Sequence, residues 1–210
     1  MLSIILADRD DLAVVDYTEE MLEDQISRMD AEIIRATSWR TGLEMSEGDF
    51  LCYVEPDCLL SEDFFMVSLN TMASSAQYRK LAMVSPVLCA RRWEREIYGY
   101  KEELGQIVPV IPETDRKKYL PSFKQKLSAI QIGYLPGSII RRSAAERLYF
   151  NSDVPLKSSV ENSLALWEEG NRILLNPYSK YVSNEQGLDE SIPYGRVSAK
   201  VSQMFERELI

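Results

Sequence analysis

The sequence predicts a single α/β domain, and three observations carry that expectation. Over the first 88 residues, short apolar runs of strand length alternate with segments of helical periodicity. Two acidic clusters, Asp8-Arg9-Asp10-Asp11 and Glu55-Pro56-Asp57, follow directly on such apolar runs, which is where open α/β sheets bind their ligands. The 210 residues, 45% hydrophobic and 27% charged, have an ordinary composition and enough length to bury a large core without covalent staples.

Ser3-Ile4-Ile5-Leu6-Ala7 is β-branched and apolar, and reads as a buried first strand that opens onto the first acidic cluster. Residues 18–29 read as a helix. Thr18 serves as its cap, Glu19 and Glu20 occupy its first turn, and Met21, Leu22, Ile26 and Met29 share one face. Residues 32–37 form a second strand, and 38–47 a second helix closed by Gly48. Residues 49–54 form a third strand that runs straight into Glu55-Pro56-Asp57. Ser61 caps a helix reaching Met72, and 81–88 is a fourth strand. The alternation implies parallel strands joined by right-handed crossovers.

Residues 91–128 break this pattern. They are rich in charge, Tyr and Pro, with one apolar run at 107–111, and read as an excursion over one face of the sheet, a lid or an acceptor-side element. Residues 130–135 resume as a strand, Pro136-Gly137-Ser138 turns, and Ile139-Ile140 leads to Arg141-Arg142. Ser143 caps a short helix to Leu148. Residues 160–169 are helical up to Gly170, and 172–175 form a last strand stopped by Asn176-Pro177. The expected domain spans 1–187. A polar tail, 188–210, carries an amphipathic helical pattern over 197–209.

Composition narrows the chemistry. A net charge of −9 argues against a general nucleic-acid binder, which needs a cationic face. An anionic ligand would need local positive charge from Arg, Lys or a divalent cation. The chain contains no histidine, which excludes Ser-His and Cys-His nucleophilic catalysis and HExxH zinc sites. Three cysteines, Cys52, Cys58 and Cys89, form no CxxC pair, so a disulfide framework is not expected and a reducing compartment is. The first residues lack a basic-then-apolar leader, and no run of 18 apolar residues occurs. A cytoplasmic protein without a transmembrane segment is the expectation.

Glu55-Pro56-Asp57 carries the sharpest chemical signal. Carboxylates two apart at a strand end, stiffened by a proline, either face water or gather a hard cation such as Mg²⁺ or Mn²⁺ shared with substrate phosphates. Two basic–aromatic runs, Arg91-Arg92-Trp93 and Arg116-Lys117-Lys118-Tyr119, either grip an anionic ligand or are solvated loop surface. Arg141-Arg142 either faces a diphosphate or caps a strand end.

The stretch Gly48-Asp49-Phe50-Leu51-Cys52-Tyr53-Val54-Glu55-Pro56-Asp57-Cys58-Leu59-Leu60-Ser61-Glu62-Asp63-Phe64 resembles the segment of GT-A, family-2-type nucleotide-sugar glycosyltransferases that holds their Asp-x-Asp motif. Here Glu55 replaces the first acid. Four later blocks follow in the family's order. Leu135-Pro136-Gly137-Ser138-Ile139-Ile140-Arg141-Arg142 is similar to its acceptor-side strand, and Phe150-Asn151-Ser152-Asp153 to its Phe-Asp-Glu turn. Val160-Glu161-Asn162-Ser163-Leu164-Ala165-Leu166-Trp167 is similar to its Glu-Asp helix, and Glu169-Gly170-Asn171-Arg172-Ile173-Leu174-Leu175-Asn176-Pro177 to its closing strand.

The resemblance implies a mixed sheet flanked by helices. It also implies an enzyme that moves a sugar from a nucleotide-diphosphate donor to a hydroxyl acceptor (glycan, lipid, protein or modified base), assisted by Mn²⁺ or Mg²⁺ and with inversion. Asp57 and Glu55 would hold the metal, and Ala7, Asp8, Arg9 and Arg40 would border the donor with them. Gly137, Ser138 and Asn162 would lie on the acceptor side. Asn162 stands where the family has its usual base, so Glu161 is the expected catalytic base. Ser183 stands where the family often has a metal-binding His. The region between the first strand and the acidic turn is one β-α unit shorter than the family's. A second reading is a GT-A-like binding or assembly module that has lost its base.

Overall fold

Six consecutive apolar or small residues build β1 (Leu2–Ala7), and all six are buried, as a strand covered on both faces requires. The computed structural model describes residues 1–75, 80–90, 95–111, 128–151, 153–183, 188 and 190–193. Beyond β1 the chain runs through α1 (Leu12–Ile26), β2 (Ala31–Ala36), α2 (Trp39–Met45), β3 (Phe50–Val54), β4 (Leu59–Leu60), α3 (Phe64–Ser74) and β5 (Leu81–Ala90). There follow β6 (Arg95–Ile97), β7 (Tyr100–Glu103), β8 (Gln106–Pro109), β9 (Ser128–Ala129), β10 (Ile139–Arg141), α4 (Arg142–Ala145), α5 (Pro155–Glu168), β11 (Arg172–Val182) and β12 (Ile192–Pro193).

The main sheet has the order β2-β1-β3-β10-β5-β11-β4, with β6 paired to β5 and β9 to β11. β2, β1 and β3 are parallel, as are β5 and β11. The fourth strand of the early alternation does not join β3. Instead β10 inserts between them, antiparallel to both, so the sheet is mixed. β2 forms one edge, and a single β-α unit separates it from the strand that ends in the acidic turn.

Strand alternation sorts the core into two layers. Ile4, Leu6, Cys52 and Val54 face Val15 and Leu22 of α1 and Phe64, Phe65 and Met72 of α3. Ile5, Ala7, Leu51 and Tyr53 face Trp39 and Leu43 of α2 and the paired alanines Ala144 and Ala145 of α4. α5 serves both layers, with Leu156 and Val160 in the first and Leu166 and Trp167 in the second. Arg35 on β2 is paired with Glu19 and Asp16 and ties α1 to the sheet edge.

Several elements differ from expectation for identifiable reasons. α1 begins earlier because Asp11 caps it, accepting from the Val14 N–H at 3.4 Å. Thr18 is therefore inside the helix and buried, its hydroxyl donating to Val14 O at 2.8 Å. Ser61 does not cap α3. It exchanges hydrogen bonds with the backbone of Lys180, while Asp63 enters the helix with φ 53°. Residues 130–135 run mostly outside strands, joined to β7 by one bridge between Ile132 and Tyr100.

α5 starts at Pro155, well before residue 160, because Pro is suited to the first helical position. β11 continues through Asn176-Pro177 to Val182. Its register against β5 shifts between Asn176 and Lys180, where Pro86 and Pro177 remove ladder donors from each strand.

Within the excursion, β7 and β8 form a hairpin, and β12 adds to β8. Leu188 is buried and its carbonyl accepts from the Tyr100 hydroxyl at 3.0 Å. The expected helix over 197–209, Arg91-Arg92-Trp93, Arg116-Lys117-Lys118-Tyr119 and Ser152 lie outside the described residues. No helix among the described residues is long and apolar enough to cross a membrane.

Candidate functional site

At the carboxyl ends of β1 and β3 lies a cavity of about 450 Å³ lined by Arg9, Asp11, Val14, Glu55, Pro56, Asp57, Cys58, Asp153, Pro155 and Ser183. That volume suits a small-molecule ligand. Its floor is the acidic turn, held by two long-range bonds. The Glu55 N–H donates to the Tyr181 hydroxyl at 3.1 Å, and the Asp57 N–H donates to the Thr18 hydroxyl at 3.2 Å. Asp57 takes φ 64°, a left-handed conformation tolerated by Asp better than by most side chains.

Tyr181 is fully buried, with its ring 6.4 Å from Phe64 and 6.1 Å from Tyr134. Gly137 makes room for it. The Gly137 N–H donates to Tyr53 O at 2.8 Å, its φ is +76°, and a Cβ there would meet the Tyr181 ring at 2.4 Å.

Charge in the cavity is mostly negative. Arg9 Nη2 lies 3.8 Å from Glu55 Oε1, beside Asp11, Asp57 and Asp153. Burial pushes the Cys58 thiol up to about 12 and raises the Tyr181 phenol well above its ordinary value. All three cysteines are buried and free.

Side-chain oxygens are the donor type a hard divalent cation takes. Glu55, Asp57 and Ser183, each with oxygen in its side chain, border the same space, and the chain has no histidine. Among the described residues there is no group of three or more His, Cys, Asp or Glu side chains poised around one point. Glu55 and Asp57 would thus leave most coordination positions to water or ligand oxygens, as Mg²⁺ and Mn²⁺ sites commonly do.

The structure brings Arg9, Glu55 and Asp57 together in the lining of the cavity; Gly137 lies behind it against Tyr181, and the other expected site residues do not line it. Asp8 is exposed at the end of β1, and Ala7 is buried beneath it; neither lines the cavity. Arg40 is exposed and pairs with Glu44 at 2.7 Å, one turn along α2. Ser138 is fully buried and donates to Tyr134 O, so its hydroxyl serves the turn. Asn162 is buried, with its side chain accepting from the Tyr149 N–H and donating to Tyr149 O. It latches the loop before α5.

Glu161 is the expected base. It lies more than a turn into α5, half exposed, with its carboxylate 3.9 Å from Lys157, and does not line the cavity. Arg141-Arg142 is resolved as structural. Arg141 donates to Leu81 O at 2.7 Å and stacks on Phe50 at 5.5 Å, while Arg142 donates to Gly48 O at 2.6 Å. These contacts sit at the entrance of β3, the end opposite the acidic turn.

Sequence reasoning did not single out Asp11 and Asp153, which line the cavity. Asp153 immediately precedes Val154-Pro155, and the Pro that opens α5 was the available signal. Val14, Pro56, Cys58 and Pro155 add the apolar wall, for which spacing gave no cue.

No family model matches the sequence, and no curated protein matches it. Solved structures do. GalNAc-T7, determined with UDP, GalNAc and Mn²⁺, is 11% identical with a TM-score of 0.56, and the match covers 100% of this chain and 47% of that one. TarS of S. aureus is 11% identical over 90% of this chain and 37% of its own, with a TM-score of 0.49. A197 from STIV is 13% identical over 86% and 83%, with a TM-score of 0.48. This chain thus spans less than half the length of GalNAc-T7 or TarS. At such identity the likeness to GalNAc-T7 shows the fold, a divergent GT-A-type mixed sheet flanked by helices.

Proposed function

We propose that this chain is a glycosyltransferase that binds a nucleotide-diphosphate sugar in the cavity above Glu55-Pro56-Asp57 and transfers the sugar to a hydroxyl acceptor. One observation carries the reading: the acidic turn borders a ligand-sized cavity at the carboxyl end of β3, in a fold shared with a protein determined with UDP and Mn²⁺. Glu55 and Asp57 would hold a divalent cation, with the Ser183 hydroxyl alongside. Bound there, the cation would supply Lewis-acid neutralisation of a departing diphosphate.

The chain's own residues divide the remaining work. Val14, Pro56 and Pro155 shield one side of the donor from water, and Arg9 contacts its phosphates. Asp153 is the proposed base in place of Glu161, because it lines the cavity and Glu161 does not. As the acceptor oxygen bonds to the anomeric carbon, the bond from that carbon to the diphosphate breaks, and the hydroxyl proton passes to the Asp153 carboxylate. A single displacement of this kind inverts the anomeric centre.

The test is a thermal-shift panel of UDP and other nucleoside diphosphates and their sugars, with and without Mn²⁺. A rise of several degrees for one nucleotide, present only with Mn²⁺, supports the reading. No response to any of them leaves the cavity without a nucleotide role and returns the chain to the binding-module reading.

A further inference from the structure

Among the described residues lining the cavity, Arg9 is the one cation beside four carboxylates, Asp11, Glu55, Asp57 and Asp153. Its Nη2 lies 3.8 Å from Glu55 Oε1, with the Arg9 side chain 52% exposed and that of Glu55 13% exposed. The two ends of this pair are anchored differently. The backbone of Glu55 is fixed to buried Tyr181 and that of Asp57 to buried Thr18. Arg9 follows the last residues of β1 on a loop, and its long side chain is half in water, so its head can move with little loss of packing.

A divalent cation at Glu55 and Asp57 and a guanidinium against Glu55 carry like charge, and the second disfavours the first. A diphosphate reverses that relation, because a guanidinium freed from its carboxylate presents donors matched to phosphate oxygens. We infer that Arg9 is an exchangeable counter-ion: it neutralises Glu55 in the empty protein, is displaced by the divalent cation, and then turns onto the donor phosphates. This rests on the proposed function and adds a coupling to it. Arg9 opposes the cation alone and favours the nucleotide once the cation is bound, so each ligand strengthens the other through one side chain.

The experiment titrates the intact chain with Mn²⁺ alone, read by the paramagnetic signal of free Mn²⁺, and then with UDP at saturating Mn²⁺, read by calorimetry. Wild type, Arg9→Gln and Arg9→Lys are compared, with matching circular dichroism confirming that each is folded. Arg9→Gln is expected to bind Mn²⁺ alone about three- to fivefold tighter, the scale of a partly exposed ion pair, and to bind UDP about tenfold weaker, the scale of a lost charge-assisted contact. Arg9→Lys falls between.

If Arg9→Gln binds Mn²⁺ no tighter than wild type while UDP weakens, Arg9 is a phosphate ligand alone and the exchange is overturned. If UDP affinity is unchanged, the exchange is overturned as well. If wild type binds neither Mn²⁺ nor UDP with Mn²⁺, the proposed function fails and takes this inference with it.

Discussion

The hydroxyl of Tyr181 accepts the backbone N–H of Glu55 at 3.1 Å, across 126 residues of sequence. Through this bond, the end of β11 sets the position of the acidic turn that ends β3. Removing the acceptor leaves a partly buried N–H without that partner, which costs about 1–2 kcal/mol. Tyr181→Phe is therefore expected to lower stability by that amount in chemical denaturation. It should also weaken nucleotide binding beyond what the stability loss explains. Unchanged binding would show that the turn holds its shape without Tyr181.

Gly137 tests the same arrangement from below. A Cβ at Gly137 would sit 2.4 Å from the Tyr181 ring, at a φ of +76°. Backbone strain and overpacking together predict that Gly137→Ala loses about 2–4 kcal/mol, measured as a shift in denaturation midpoint. Gly48→Ala is a useful partner experiment, because its Cβ would meet Ser3 Oγ at 2.6 Å, far from the acidic turn. It should destabilise without a specific effect on nucleotide binding.

How much of this was legible in the sequence depends on whether the signal was local. The first helices and strands could be read because each carries its own periodicity, and the acidic turn stood out because carboxylates rarely end a buried strand. The position of β10 was not legible. Three residues, Ile139–Arg141, slot between β3 and β5, and nothing in their composition names those neighbours. Glu161 is the expected base through the resemblance of 160–167 to the Glu-Asp helix, with that helix starting at 160. Pro155 begins that helix, and Asp153, two residues before it, lines the cavity. Asn176-Pro177 read as a stop because proline breaks a ladder, whereas β11 absorbs it as a register shift.

The base assignment yields a paired prediction. Asp153→Asn is expected to lower the transfer rate about 100-fold or more while leaving donor affinity within a few-fold. Glu161→Gln should leave the rate near wild type, since its carboxylate pairs with Lys157 on an exposed helix face. The reverse pattern in steady-state kinetics would restore Glu161 and remove Asp153.

Alkaline pH should unfold the protein through its buried acids. The folded state raises the Cys58 and Cys89 thiols to about 12 and the Tyr181 phenol well above its ordinary value, in each case mainly by burial. For such groups the unfolded chain releases its protons first. The stabilising contribution is complete below about pH 8.5, the ordinary thiol value, and is lost as pH rises toward the folded values. Stability should fall above pH 9 by up to about 1.4 kcal/mol per pH unit for each titrating group. Cys58→Ala should flatten that slope by one group's share, read by thermal melts across pH 8–11.

The most direct measurement of the central claim is calorimetric titration of UDP into wild type and Asp57→Asn, each with Mn²⁺ and with chelator. Asp57 borders the cavity with its backbone held by Thr18, so the substitution removes one proposed cation ligand without removing that anchor. The account predicts binding to wild type only when Mn²⁺ is present, weakened at least about tenfold in Asp57→Asn. Equal UDP affinity in the two proteins, or binding to wild type that persists in chelator, would contradict it.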